Sequence, residues 1–409
     1  MTPTRRLELA PHAAAVSLGY VIFSYAAVPV SLTTRLGIDF ASFGLLTSAA
    51  LGAFVLSQPV ASHLTDTEST ARLLRWALLA HVVLAVGLDL VTSFPALLVL
   101  RGVWGLVGGF LLSVGATQLA RLHTGAATTR QQGVYGALLT FGGAVGFLVT
   151  PSLVEVAAAT PGVGPIHAPG ALLALPAFVL LARREGDEAT RPPTGEGAEP
   201  GAIGSPGPGP ETEAEAGPGG EPEPRVSVLT HPVVLLAAFV YVAIIGSFVT
   251  LSTFVTAYYT DLGVAGPLSA FVLVVATVGR WLGGRAVADE WLTDATVILW
   301  GTAAAAVGFV ALAAPLPQAL VVALPPVAML AVSLPFGAVY AVAARATPRD
   351  GAALAVVVAA GNVGSIVLPA ATGAARDVTG AYGVGFLALG ALNVLALVGV
   401  VVFRRRLRG

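Results

Sequence analysis

The chain has 409 residues, 56% of them hydrophobic and only 11% charged, with a formal net charge of −1. Soluble globular proteins carry about a quarter charged residues, so a water-soluble domain is excluded, and the lack of a basic patch excludes a nucleic-acid partner. Cysteine is absent, which removes disulfides, thiolate metal sites and cysteine nucleophiles; lysine is absent too, so all 21 basic residues are arginine.

A hydrocarbon core about 30 Å thick is crossed by roughly 20 helical residues. Apolar stretches of that length recur from His12 to Phe403 and predict spans over 12–32, 41–64, 72–92, 95–120, 131–156 and 168–184. A second series follows over 231–258, 266–288, 292–313, 318–344, 351–375 and 381–403. Helices are required because each must close its own backbone hydrogen bonds in lipid, and the runs are too long and too uniformly apolar for barrel strands. The expected fold class is an all-α membrane protein with twelve transmembrane helices in two six-helix bundles, 1–184 and 230–409. Arg5 and Arg6 precede span 1, whose length and lack of a small-residue cleavage site predict a retained helix.

Span 1 carries Tyr20, Ser24 and Tyr25. The gap after span 2 holds Asp66 and Arg72, and span 3 holds His81 and Asp89; His81 reads as a packing residue. Span 4 carries Arg101-Gly-Val-Trp-Gly105-Leu-Val-Gly-Gly109, with its arginine roughly two turns inside the helix. An arginine at that depth costs several kcal/mol unless it finds acceptors or a wet cavity, so it is a candidate binding residue, with snorkelling to headgroups as the alternative. In span 5, Gly133 to Pro151 aligns without gaps on Gly351 to Pro369 of span 11, with Gly143/Gly361, Gly146/Gly364 and Pro151/Pro369 coincident. That internal repeat predicts parallel halves about an axis normal to the membrane.

Between the halves, 185–229 is an acidic Pro/Gly-rich insert holding ten of the 22 acids, and it offers almost nothing apolar to bury. A disordered cytoplasmic tether is expected there, with a partner-binding segment as the alternative. Span 7 is rich in hydroxyls, Tyr241, Ser247, Thr250, Ser252, Thr253, Thr256, Tyr258 and Tyr259. Thr250, Thr253 and Thr256 step by three and share a helix face, either lining a path or bonding to their own preceding turn. Tyr340 in span 10 and Asn362 in span 11 complete the candidate polar lining, and no acid occupies the middle of spans 1, 4, 7 or 10.

Arginines set the orientation, because positive charge is retained on the cytoplasmic side. The N-terminus, Arg72, Arg75, Arg121, Arg130, Arg183, Arg184, Arg191, Arg225, Arg285, Arg345, Arg349, Arg404, Arg405, Arg406 and Arg408 share one face, against Arg35 and Arg376 on the other. Both termini and the insert are therefore expected in the cytoplasm, with the chain in the plasma membrane.

At the end of span 8 the chain reads Gly279-Arg280-Trp281-Leu282-Gly283-Gly284-Arg285-Ala286-Val287-Ala288-Asp289. This Gly-Arg-x-x-Gly-Gly-x-x-x-x-Asp run resembles the loop motif of the major facilitator superfamily, and the span 4 pattern Arg-x-x-x-Gly-x-x-x-Gly is similar to that family's fourth helix. The resemblance implies a secondary transporter working by alternating access, with Gly283, Gly284, Arg285 and Asp289, and their degenerate counterparts Asp66 and Arg72, in a cytoplasmic gate. Arg280 and the Gly361-Asn362-Val363-Gly364 stretch resemble the nitrate/nitrite porter branch, which implies an anion at Arg280; that branch pairs its arginine with one from helix 2, where this chain has Ser57 and Gln58. The expected partner is a small anionic solute, held by Arg280, Arg101, Tyr20, Tyr25, Thr250, Thr253, Asn362 and Tyr340, with a proton or counter-anion as coupling ion. Proton-coupled export of hydrophobic compounds and a transport-dead sensor or scaffold are the alternatives. With no phosphate loop, metal spacing or nucleophile elbow, no cofactor and no enzymatic activity are expected.

Overall fold

The computed structural model describes residues 3–123, 126–158, 165–182, 190, 225–264, 267–347 and 350–404, and every element among them is helical. Most of the insert, and Arg183, Arg184, Arg191, Arg349, Arg405, Arg406 and Arg408, lie outside the described residues. The first half comprises α1 (Pro3–Phe23), a 3-10 turn (Ser24–Ala27), α2 (Pro29–Leu36), α3 (Phe40–Thr65), α4 (Thr70–Leu90), α5 (Phe94–Leu122), α6 (Ala126–Ala158), α7 (Ala168–Leu173) and α8 (Leu175–Leu181). After α9 (Arg225–Thr230) the second half comprises α10 (Pro232–Asp261), α11 (Pro267–Ala288), α12 (Asp294–Leu312), α13 (Gln318–Ser333), α14 (Phe336–Arg345), α15 (Asp350–Thr379) and α16 (Gly383–Val402).

Eleven of the described helical stretches are long and apolar enough to cross a bilayer; the sixth predicted span is a shorter apolar helix, Ala168–Leu181. Two boundaries differ from the hydropathy reading. Span 1 was expected to run to residue 32, but α1 ends at Phe23 and is followed by the 3-10 turn and by α2, which opens on Pro29, a position where the missing N–H has no helical partner to serve. The insert was expected to extend to 229, whereas α9 already forms from Arg225, with Val228 buried.

The most apolar windows of α1 and α10 are 78% buried against 39% for α4 and α11, so α1 and α10 sit at the centre of the molecule. Large apolar side chains such as Leu56, Trp76, Val99, Trp300 and Val307 point outward, a surface that only lipid solvates without penalty. The repeat has a packing counterpart in each half. A methyl group on Gly146 of α6 would lie 3.3 Å from the Tyr20 carbonyl oxygen of α1, and one on Gly364 of α15 would lie 2.9 Å from the Val242 carbonyl oxygen of α10. Each repeated glycine therefore admits the first long helix of its own half.

The two halves of the chain meet along α3 and α15. Gly44, Ser48 and Gly52 recur every four residues on α3 and so form one small-residue stripe. A methyl group on Gly44 would lie 2.6 Å from the Pro369 carbonyl oxygen, Ser48 Oγ donates to the Ile366 carbonyl at 2.5 Å, and Gly52 faces the Ile366 side chain. At the end of this seam away from the termini, Asp377 of α15 caps a helix that is not its own. Its carboxylate accepts the N–H groups of Phe40 (3.1 Å) and Ala41 (2.7 Å), while Asp39 takes the N–H of Ser42 (2.8 Å). Hydrogen bonds from the Ser42 side chain and backbone hold the Asp39 carboxyl below its usual range. Beside them, Arg376 bonds Asp261 at 3.2 Å and stacks on Phe40 at 4.2 Å. Thr47 and Thr253 meet at 3.1 Å, and Phe43 and Phe254 pack with ring centroids 6.0 Å apart.

The two adjacent glycines of the α11 motif differ in surroundings. A methyl on Gly283 would lie 1.9 Å from the Leu334 carbonyl oxygen, a backbone atom that cannot swing away, whereas Gly284 faces open space. Gly283→Ala is expected to cost about 1–3 kcal/mol through overpacking. Gly284→Ala is expected to be neutral or stabilising by up to about 1 kcal/mol, since alanine is the better helix former. Thermal unfolding of the two purified variants compares them directly; equal midpoints would contradict the packing assigned to Gly283.

Candidate functional site

Two arginines lie within the membrane-spanning helices of the described chain's interior, and their surroundings differ. Arg101 of α5 is buried. Its Nη1 donates to the Val21 carbonyl at 3.0 Å, its Nη2 to the Ile22 carbonyl at 3.2 Å and its Nε to the Leu46 carbonyl at 3.5 Å. Val21 and Ile22 lie in the last turn of α1, just before the 3-10 turn, where helix carbonyls run out of intrahelical donors, and the guanidinium donates to them. The Tyr25 ring at 4.5 Å and the Trp104 ring at 5.3 Å cover its faces. Arg101 therefore neither snorkels nor presents a bare edge.

Arg280 of α11 is held differently. Its guanidinium is sandwiched between the ring of Phe248 from α10 at 4.5 Å and that of Phe336 from α14 at 4.2 Å. Nη1 reaches Thr140 Oγ1 of α6 at a long 3.4 Å, and Nε is buried with no hydrogen-bond partner. An orphaned cationic donor in such a setting is costly, so the arrangement is complete only when an acceptor arrives. With phenyl rings 4.5 and 4.2 Å away, an acceptor that approaches in the guanidinium plane meets the N–H fork, the geometry in which arginine grips planar oxyanions.

Donors surround this slot. Tyr340 donates its hydroxyl proton to the Tyr241 oxygen at 2.5 Å, which leaves the Tyr241 proton available, and Phe336 packs on both tyrosines with centroids 5.6 and 5.3 Å away. Gly361 admits the Tyr241 ring, since a methyl there would lie 2.1 Å from Cδ1, and the next residue, Asn362, has a buried Nδ2 without a partner. Helices α6, α10, α11 and α14 thus bring Thr140, Phe248, Arg280, Phe336 and the Tyr241–Tyr340 pair together, with Gly361 of α15 packed on Tyr241. Sequence reading named Arg280, Tyr340 and Asn362; Thr140, Phe248 and Phe336 were missed. The available signal was spacing, because Tyr241 and Phe248 stand seven apart and Phe336 and Tyr340 four apart, each pair on one helix face.

The other named residues lie elsewhere. Tyr25 is stacked on Arg101 and bonded to Thr47, and Tyr20 bonds Thr150 at 2.9 Å within the first half. Thr253 bonds its own helix at the Val249 carbonyl (2.8 Å) as well as Thr47, while the Thr250 hydroxyl is buried without a partner. Ser57, expected opposite Arg280, turns back to the Phe54 carbonyl at 2.8 Å. His81 receives the Trp104 indole proton on Nδ1 at 3.1 Å and meets Ser17 at 2.8 Å, whose hydroxyl donates to the Gly170 carbonyl at 2.7 Å. Asp89 caps α7 by accepting the backbone N–H groups of His167 and Ala168, and Glu155 is exposed.

Among the gate residues, Arg72 pairs with Glu68 and Arg285 with Asp289, each one turn away on the same segment. Neither pair reaches the other half. Among the described residues, every hydrogen bond between the halves lies at Thr140–Arg280 or beyond it, toward the face away from the termini. No group of residues suited to a metal ion occurs among the described residues.

A sequence profile of the Major Facilitator Superfamily matches residues 10–293, more than half of the chain. No curated protein sequence matches. Among solved structures, the fold is similar to the crystal structure of a bacterial homologue of the human lysosomal transporter Spinster, in an inward-facing and unoccupied conformation. The TM-score is 0.76 at 17% identity, over 99% of this chain and 98% of that one. With its apolar helices, its loop and fourth-helix motifs and a matching profile, the chain belongs to the Major Facilitator Superfamily of membrane transporters.

Proposed function

We propose that this transporter moves a small anion bearing a planar oxyanion group, such as a carboxylate or nitrate, by alternating access around Arg280. The observation that carries the reading is the buried, partnerless Nε of a guanidinium clamped between two phenyl rings. Tyr241 and Asn362 supply further donors, and the absence of a second arginine at Ser57 argues for a single-cation site rather than the paired one implied by the nitrate/nitrite resemblance.

The reading includes a topology. Ala168–Leu181, with the residues to 184, makes the sixth crossing, so twelve spans form two six-helix bundles, 1–184 and 230–409, joined by the insert. The arginine-rich face that carries the termini is cytoplasmic. The Asp377 cap, the Arg376–Asp261 pair and the α3–α15 seam then close the external side, while Arg285–Asp289 and Arg72–Glu68 stand disengaged on the cytoplasmic side. This is the arrangement of a transporter open to the cytoplasm.

Uptake of a panel of labelled carboxylates, nitrate and cationic controls into proteoliposomes tests the site. Arg280→Ala is expected to lower anion uptake at least tenfold, Arg280→Lys to restore little because lysine lacks the planar fork, and Tyr241→Phe to raise KM several-fold. Unchanged uptake in Arg280→Ala, or preference for the cations, would refute the anion assignment.

The external closure makes a separate prediction. Asp377→Ala leaves two N–H groups of α3 without their cap and is expected to shift the population toward outward-open states. Because the chain has no native cysteine, a single cysteine at Thr47 reports this by faster labelling with an impermeant maleimide. An unaltered labelling rate would show that Asp377 does not hold the closure.

A further inference from the structure

Thr190 falls within the acidic insert, yet it is fully buried. Its carbonyl oxygen accepts the N–H of Thr70 at 3.2 Å and Nη1 of Arg121 at 3.0 Å. Its hydroxyl meets Ser69 Oγ at 2.9 Å and accepts the N–H of Ala71 at 3.4 Å. Arg121 in turn donates through Nη2 to the Thr65 carbonyl at 2.6 Å, the last residue of α3. One residue of the insert thus satisfies the first two orphan donors of α4, while Ser69 serves the third by accepting the Arg72 N–H at 3.4 Å. The contact encloses the short loop from Thr65 to Thr70 that carries Asp66.

We infer that this surface, made of the α4 N-terminus, Ser69 and Arg121, is a docking site for Thr190, which clips the insert to the first half. Charge favours the occupant. The α4 N-terminus and Arg121 both donate to Thr190, and in the sequence Asp187 and Glu188 stand just ahead of it. The path is also short, because Arg75 of α4 donates to the Leu181 carbonyl at 3.2 Å, so the chain leaves α8 beside the helix on which Thr190 seats. The insert then does more than join two halves: its docked end sets the position of the Asp66 loop, and only the stretch beyond Thr190 is left to span to α9.

Single cysteines in this cysteine-free chain test the docking without any transport measurement. In membranes opened to the reagent, Thr190→Cys keeps the backbone contacts and is expected to label at least tenfold more slowly than Thr67→Cys, an exposed position in the same loop. Adding Arg121→Gln, or separately Ser69→Ala, is expected to raise the Thr190→Cys rate toward that of Thr67→Cys. The pair Ser69→Cys with Thr190→Cys is expected to form a disulfide under mild oxidation. Labelling of Thr190→Cys as fast as Thr67→Cys, or protection unaffected by both added substitutions, overturns the docking site.

Discussion

A guanidinium inside a membrane protein has five N–H donors, all of which lose water on burial, and this single requirement organises both ends of the mechanism. At Arg101 the requirement is met internally. α1 passes into a 3-10 turn after Phe23, the carbonyls of Val21 and Ile22 lie in its last turn, and the arginine of α5 donates to both. A broken helix and a buried cation, each costly alone, cancel one another. At Arg280 the break between α13 and α14 lies close by, since Phe336 opens α14, yet the guanidinium's hydrogen bond among the described residues goes to Thr140 rather than to a freed carbonyl, and two phenyl rings pack against it. The donors left over are a demand placed on a ligand.

The same logic of backbone groups left over at helix ends governs the contact between the halves. The first turn of α3 cannot satisfy its own N–H groups, and Asp39 and Asp377 divide them between an acid of its own chain segment and one from the other half. Behind this cap, glycine and serine at every fourth position let α3 and α15 approach until side-chain atoms meet backbone carbonyls. Such a seam is built from many small contacts and a few hydrogen bonds, and among the described residues it contains no long ion-pair network that would have to be dismantled step by step. It suits an interface that forms and parts repeatedly.

How far all this is legible in sequence depends on the range of the interaction. Hydropathy is a property of single segments, so the membrane class and the long helices follow from it directly, and the family motifs lie in contiguous runs at Arg101 and Gly279 to Asp289. The end of α1 was misplaced because Val28, Val30 and Leu32 keep the run apolar past the 3-10 turn, and hydropathy does not register a change in the ladder. Arg101 and Arg280 look alike in sequence, each a lone cation in an apolar stretch. What separates them is whether backbone carbonyls of a neighbouring helix come within reach of the guanidinium, which is tertiary information. Thr190 was hidden for the opposite reason: composition describes the insert as one uniform tract and says nothing about a single residue within it.

The relay from Trp104 through His81 and Ser17 to the Gly170 carbonyl has one further consequence. Every proton in it points the same way, since indole can only give and a carbonyl can only receive, which fixes the imidazole with its hydrogen on Nε2. Four segments, α5, α4, α1 and α7, are thereby laced through one ring. A unit fastened at its centre in this manner resists internal bending, and the weaker place lies outside it, in the 3-10 turn between Ser24 and Ala27 where α1 has already given up its regular ladder.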